Sequence, residues 1–340
     1  MSANADQRPD VPPYIAVLQA RERWTPAEIA FWGFCCAAYF LFPKSLMFAS
    51  QVLITGLFAL SLDLILGYAG IVTLGHAAFF GLGAYTAGLL STHGLQEPLT
   101  GLAIASMVAA LAGYVTSFLV LRGGDLARLM ITLGIALLLH EIANRATDIT
   151  GGVDGLQGVE VGALLGMYRF DLQGRLGYLY VLAVTFGLFF LVRALMASPY
   201  GLSVRAIREN PRRATVLGVP IRARLTNIYT FAALIAGVAG ALLTQTTQFV
   251  GIDVLDFQRS AYLLIILIIG GTGTLYGGFL GAAAFLFAQD RLSNLNAQYW
   301  LFWLGICLVI VTRYLRGGIM GGLAGARRRL SAWWARRFPR

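Results

Sequence analysis

Residues 198–224, SPYGLSVRAIRENPRRATVLGVPIRAR, decide how this chain is to be read. The stretch carries six arginines, at 205, 208, 212, 213, 222 and 224, against the single acid Glu209. Strongly apolar runs flank it, at about 177–196 and 227–248. A chain that only turned around at a membrane surface would need a few residues, and about two dozen are spent here. Capping chemistry divides them. Ser198 before Pro199 is an N-cap with proline at the first helical position, and Asn210 before Pro211 repeats the pattern. Proline disfavours helix at the residue before it, so Asn210 separates two helices, and Gly218 supplies a C-terminal stop. These signals predict helices over about 199–209 and 211–217. Val204, Ile207, Val216 and Leu217 are expected to anchor them inward while the arginines face outward. A solvated turn requires no such order of caps, anchors and charges. A docking surface does.

Composition sets the setting of this element. Of the 340 residues 58% are hydrophobic and 12% charged, and the mean hydropathy is +0.71. Soluble domains carry roughly 25% charged residues. Apolar runs recur at a length that crosses about 30 Å of hydrocarbon as helix, and the ten-residue alternation of a membrane barrel is absent. The fold class is all-α, a polytopic helical membrane protein. Candidate spans fall at about 28–43, 46–66, 68–92, 99–121, 127–145, 177–196, 227–248, 259–270, 276–289 and 298–315. The first, eighth and ninth are short for full crossings.

Charge orients the spans. After Val311 eight arginines meet no acid, and positive charge beside apolar spans marks cytoplasmic segments. An even number of crossings must then separate the 198–224 loop from the tail. The break falls at GGTGTLYGGFLG (270–281), where glycines permit a tight turn. About ten crossings result, with N- and C-termini cytoplasmic. The Arg122–Arg128 turn falls inside. The long 146–176 loop, with three aspartates and one glutamate against two arginines, falls outside, as does Lys44. The expected organisation is a cytoplasmic N-terminal segment at 1–27, a transmembrane domain at 28–315 containing the cytoplasmic loop 198–224, and a basic cytoplasmic tail at 316–340. No secretory signal is recognisable, so the first span is expected to be retained. The net charge of +10 lies mainly in the loop and tail, which fits membrane lipid better than nucleic acid.

The two halves share Gly-interrupted apolar regions, GYAGIVTLGHAAFFGLGAY (67–85) and GGTGTLYGGFLG. Paired broken segments point to transporter repeats around a central pathway, and close helix packing through small residues is the plainer alternative. Gly70, Gly75, His76, Gly81, Gly271 and Gly273 are the candidate path residues. Ionisable groups in or near the spans are Asp63, His76, His140, Glu141 and Asp290. His140 and Glu141 are adjacent, so on a helix they point about 100° apart and form no relay. His76 is expected to bond free backbone groups of a broken helix. Tyr299, Trp300, Trp303, Trp333 and Trp334 suit interfacial anchoring. Cys35, Cys36 and Cys307 have neither zinc nor disulfide spacing. No metal-ligand cluster or catalytic dyad is recognisable. Lys44 is the only lysine and no GxxxxGK[ST] phosphate loop exists, so the chain is not itself a Walker-type ATPase.

The string GLSVRAIRENPRRATVLGVPIRARLTNIYTFAALIAGVAGAL resembles the coupling region of permease subunits of branched-chain amino-acid ABC transporters (LivM-type). GYAGIVTLGHAAFFGLGAYTAGLL, ITGGVDGL (149–156) and GGTGTLYGGFLGAA resemble other motifs of the same family, in order over roughly residues 50–320. The resemblance implies the permease domain of a non-enzymatic transport subunit in the bacterial inner membrane. Its implied partners are a second homologous permease, two ATPase subunits that carry ATP and Mg, and a periplasmic or extracellular substrate-binding protein. No cofactor on this chain is implied. Carried over by motif, Gly201, Arg205, Ala206, Arg208, Glu209, Asn210 and Gly218 would line the ATPase contact. The implied cargo is a branched-chain or other hydrophobic amino acid, with urea, short amides and aromatic acids as alternatives within the class. An ion-coupled secondary carrier using Asp63 or Glu141 is the competing reading, and it expects replacement of Asp63 by Asn to abolish uptake. The importer reading expects little effect.

Overall fold

The computed structural model describes residues 26–164, 166 and 174–295, and between 298 and 322 residues 298, 299, 301–303, 305, 306, 309, 313 and 317–322. Cys307, Trp300, Trp333, Trp334, most of the 1–27 segment, half of the last span and most of the tail lie outside the described residues. Twelve α-helices are labelled in chain order: α1 Pro26–Leu41, α2 Leu46–Asp63, α3 Ala77–Thr92, α4 Pro98–Val120, α5 Asp125–Arg145, α6 Thr147–Thr150, α7 Arg175–Ala197, α8 Pro199–Glu209, α9 Pro211–Val216, α10 Ile221–Thr247, α11 Phe257–Gly270 and α12 Gly277–Leu295. Five are long and apolar enough to cross a membrane: α2 with its extension to Tyr68, α4, α5, α7 and α10. α1, α3 and α11 are apolar but shorter.

α10 is the centre, packed most extensively against α4 and α3. Its residues Ala232, Ala233, Ile235, Ala236, Ala239 and Ala241 are fully buried. Small residues let these backbones touch, because lipid-embedded helices associate by close packing rather than by a hydrophobic drive. A side chain at Gly83 would strike the Gly237 backbone, and one at Gly240 would strike the Phe80 carbonyl. α4 runs antiparallel to α10, with Gly113 against Ala233 and Gly101 near Gln245. Gln245 Nε2 donates to the Pro98 carbonyl at 2.8 Å, closing that end.

The expected span 68–92 is not one helix. α2 ends in a π-turn, Leu64–Tyr68, and residues 69–76 are non-helical before α3 begins. Gly70 has φ +75°, and Gly75 sits so close to the Thr132 backbone that no side chain fits. Backbone groups freed inside a membrane need internal partners. Side-chain hydroxyls supply them: Ser260 Oγ accepts from Ala77 N at 2.9 Å, and Thr132 Oγ1 accepts from Leu74 N at 3.2 Å. The expectation that His76 would do this is corrected. His76 is buried, with Nε2 2.8 Å from Ser61 Oγ and its ring stacked on Phe58.

α11 and α12 form an antiparallel hairpin, with Gly270 against Gly277 and Gly281 against Ile266. The turn between them, held by φ +108° at Gly271 and +75° at Gly273, meets the end of α2. Gly273 N donates to Asp63 Oδ1 at 2.7 Å. This end also gathers α8, the Glu28–Arg193 pair (3.2 Å) and Gly317, which lies against Gly271. It is the basic end. The opposite end holds the Leu156–Val250 bridge, the Gly162 N to Gln96 carbonyl bond (2.9 Å) and Gly174 beside Met47. The ITGGVDGL segment thus pins the long 146–174 connection to the α10–α11 connection.

Candidate functional site

α8 and α9 begin and end where the caps predict, within one residue. Asn210 Oδ1 accepts from Arg213 N at 3.0 Å and so caps α9, while Gly218 follows it at φ +79°. α8 lies against the bundle through three buried positions, Gly201, Val204 and Ile207, one per turn of its inner face. A side chain at Gly201 would strike the Met196 backbone. Tyr200 Oη donates to the Arg224 carbonyl at 3.0 Å, and the Arg224 guanidinium covers the Tyr200 ring at 4.9 Å. The stretch is clamped between α7 and α10.

Two expectations about it are corrected. Arg205 is half-buried, and Arg208, though exposed, turns the tip of its guanidinium inward. The Arg205 guanidinium lies 4.9 Å over the Tyr68 ring, and Arg208 Nη1 donates to the Gly67 carbonyl. The Arg208 stem lies 2.9 Å from where a side chain on Gly70 would start, and Asp63 is within reach of its charge. Only glycine leaves room there. Val216 and Leu217 do not anchor α9 either. They are 88% and 73% exposed, and Ala214 is the buried contact. A helix of six residues offers one inward position, and register gives it to Ala214.

The outward surface includes Arg208, Glu209, Asn210, Arg212, Arg213, Val216, Leu217 and Gly218, with Ala206 half-buried behind it. Two large apolar side chains flanked by guanidinium groups thus form an exposed knob at the basic end. Among the candidate path residues, Gly70 and Gly273 meet at Arg208, and Gly271 meets Gly317. Gly75, His76 and Gly81 lie elsewhere, in buried contacts with Thr132, Ser61 and Leu255. Glu141 pairs with Arg145 on the exposed face of α5, and Asp290 is exposed.

Two clefts are lined by none of these six residues, although Phe58, which stacks on His76, lines the first. One of about 330 Å³ is bounded by α2, α11 and α12 and contains Asp253, Asp256 and Arg259. The other, about 530 Å³, opens at the end opposite the basic one and shares Gln51, Ile54 and Leu243 with the first. Sequence reasoning passes over the three charged residues because Asp253 and Asp256 fall in a connection between spans and Arg259 at the very start of the eighth span. The signal is the shortness of the eighth span, which leaves its charged start at depth.

The geometry defines a polytopic helical membrane protein with an exposed basic helical element at one end and clefts within. The chain matches the family described as branched-chain amino acid transport system / permease component over residues 45–312, and it belongs to that family. It is similar to the high-affinity branched-chain amino acid transport system permease protein LivM of Salmonella typhimurium, 28% identical over 296 residues, covering 80% of this chain and 69% of that one. The Escherichia coli K12 protein of the same description is similar to the same extent. The probable branched-chain amino acid transport permease protein LivM of Methanocaldococcus jannaschii is 23% identical over 317 residues, covering 77% of this chain and 89% of that one. No solved structure matches the chain significantly. The chain is a transport permease, of a family that supplies components of ABC importers, and this reading displaces the ion-coupled carrier.

Proposed function

We propose that this chain is one permease half of an ABC importer in a bacterial inner membrane, with the basic end cytoplasmic and both termini on that side. It would pair with a second homologous permease, stand on two ATPase subunits that bind ATP and Mg, and receive cargo from a periplasmic or extracellular binding protein. The cargo class is branched-chain or other hydrophobic amino acids; the names of the relatives state branched-chain amino acids for those proteins. The observation that carries this reading is the α8–α9 element, seated on the bundle by its inner face and presenting Val216, Leu217, Arg212 and Arg213 outward.

Mechanically, α9 meets the ATPase and α8 passes the movement on. Closure of an ATPase dimer displaces docked elements as rigid bodies. α8 is tied to the π-turn of α2 by Arg208 on the Gly67 carbonyl and by Arg205 over Tyr68. A charged donor on a carbonyl is worth about 1.5–3 kcal/mol, and a cation–π contact about 0.5–2. Asp63 then links the same turn to the α11–α12 connection. Arg205 and Arg208 act as levers behind the contact rather than as the contact itself. Glu209, Asn210 and Gly218 remain at the contact edge. The test is a mild-detergent pull-down of tagged chain from native membrane. Recovery of a second permease and Walker-motif subunits supports the reading, and a chain recovered only with itself overturns it.

A further inference from the structure

The smaller cleft holds charge where a membrane protein has most reason to exclude it. The Arg259 guanidinium lies 5.5 Å over the Phe80 ring, and the next residue, Ser260, accepts from Ala77 N. From Phe80 the helical rise to Thr92, at the opposite end, is about 18 Å. Phe58, whose ring is 4.4 Å from that of Phe80, stands about 15 Å of helical rise from Tyr68 at the basic end. Set against a hydrocarbon core of about 30 Å, this level is near the midplane. α11 starts there rather than at a surface. Arg259 Nη2 pairs with Asp253 Oδ2 at 2.5 Å, their side chains 33% and 64% exposed, and Asp256 makes no ion pair among the described residues. Exposed charges at such depth do not face lipid; they face a water-filled path or protein.

We propose that this cleft is a transit site for a zwitterionic amino acid, in which Arg259 receives the carboxylate, Asp256 the ammonium group, and Phe58, Phe80, Ile54 and Leu263 the apolar side chain. The proposal rests on the importer reading above and names the residues by which the permease itself reads its cargo. Arg259 has donors to spare, because a guanidinium presents five in a planar fork and Asp253 uses one edge. The N-terminus of α11, starting beside it, adds positive potential toward a carboxylate. Two carboxylates beside one guanidinium repel a simple organic anion. A neutral amide needs none of the three charges. A zwitterion matches them, with a carboxylate for Arg259 and an ammonium for the unpaired Asp256. The volume of about 330 Å³ is at the small end of ligand pockets, roughly 300–1,000 Å³. The larger cleft, sharing Gln51, Ile54 and Leu243, leads to it from the side where a binding protein would deliver.

The experiment uses the whole complex in proteoliposomes, with labelled leucine as probe. Arg259→Gln and Asp256→Asn are each expected to cut ATP-driven leucine uptake at least tenfold while ATP hydrolysis persists. A second readout does not depend on those variants. In a chain whose three cysteines are replaced, Gln289→Cys on the cleft wall is labelled by a thiol reagent during turnover. Leucine is expected to slow the labelling, whereas isocaproate and isoamylamine, each lacking one charged end, do not. Arg259→Gln in that background is expected to abolish the protection. A complex that carries leucine normally, yet shows unaltered uptake in both charge variants or labelling indifferent to leucine, overturns the site and leaves the importer reading standing. A wild-type complex that moves no leucine overturns the cargo reading instead.

Discussion

Asp63 shows how one residue changes meaning between sequence and structure. In sequence it is a lone carboxylate in a span and invites a proton-relay reading. In the fold it is buried and accepts from Gly273 N, joining the two Gly-interrupted segments of the chain. Asn at this position keeps an acceptor for that N–H, so Asp63→Asn is expected to retain assembly and most uptake. Asp63→Leu leaves the N–H without a partner and is expected to cost about 1–3 kcal/mol, read as a lowered melting temperature of the detergent-solubilised complex. Abolished uptake in an assembled, ATP-hydrolysing Asp63→Asn complex would contradict this. Gly201 and Gly218 form a second pair. A side chain at Gly201 meets the Met196 backbone, whereas at Gly218 it meets open space and only the φ of +79° resists it. Gly201→Ala is expected to displace α8 and impair uptake. Gly218→Ala is expected to cost about 1 kcal/mol for the left-handed backbone and little else. Equal uptake defects in the two would show that α8 seating is not what matters.

At the scale of elements, α8 and α9 were legible because their signals are local. A cap and a proline act within one turn, and both helices end where those residues say. Which way their side chains point was not legible, since the partners are far away in sequence. Arg208 meets Gly67 and Arg205 meets Tyr68 across more than a hundred residues, and no periodicity within 198–224 encodes that. The same holds for the start of α3, whose free Ala77 N finds Ser260 on another element. The cleft was missed for a related reason. Asp253, Asp256 and Arg259 look external until the 248–256 connection, with its 3-10 turn at Ile252–Leu255, is seen to lie beside α3, with Leu255 against Gly81. The lever role of α8 carries its own prediction. Arg208→Gln is expected to lower leucine uptake several-fold while the ATPase still co-purifies and hydrolyses ATP, because the contact stays and the linkage to α2 weakens. Loss of the ATPase from that complex would instead place Arg208 at the contact.

For the whole molecule, alternation of apolar spans with one interior basic element was enough to set the fold class, and the family match agrees with it. Two discontinuities organise the architecture: the 69–76 break follows the end of α2, and the turn at Gly271 and Gly273 meets that end through Asp63, with Arg208 in contact with both. In the proposed mechanism the docking knob, the lever and the midplane cleft are successive parts of one path from the ATPase side to the cargo. The most direct test of the account is a cross-link at the knob. Leu217→Cys in a cysteine-free chain, treated with a short bifunctional thiol–amine reagent in native membrane, is expected to yield an adduct with a Walker-motif ATPase subunit, in a yield that changes on adding ATP. An assembled complex in which the introduced thiol joins only permease chains, or no protein, would contradict the claim that α9 is where this chain meets its motor.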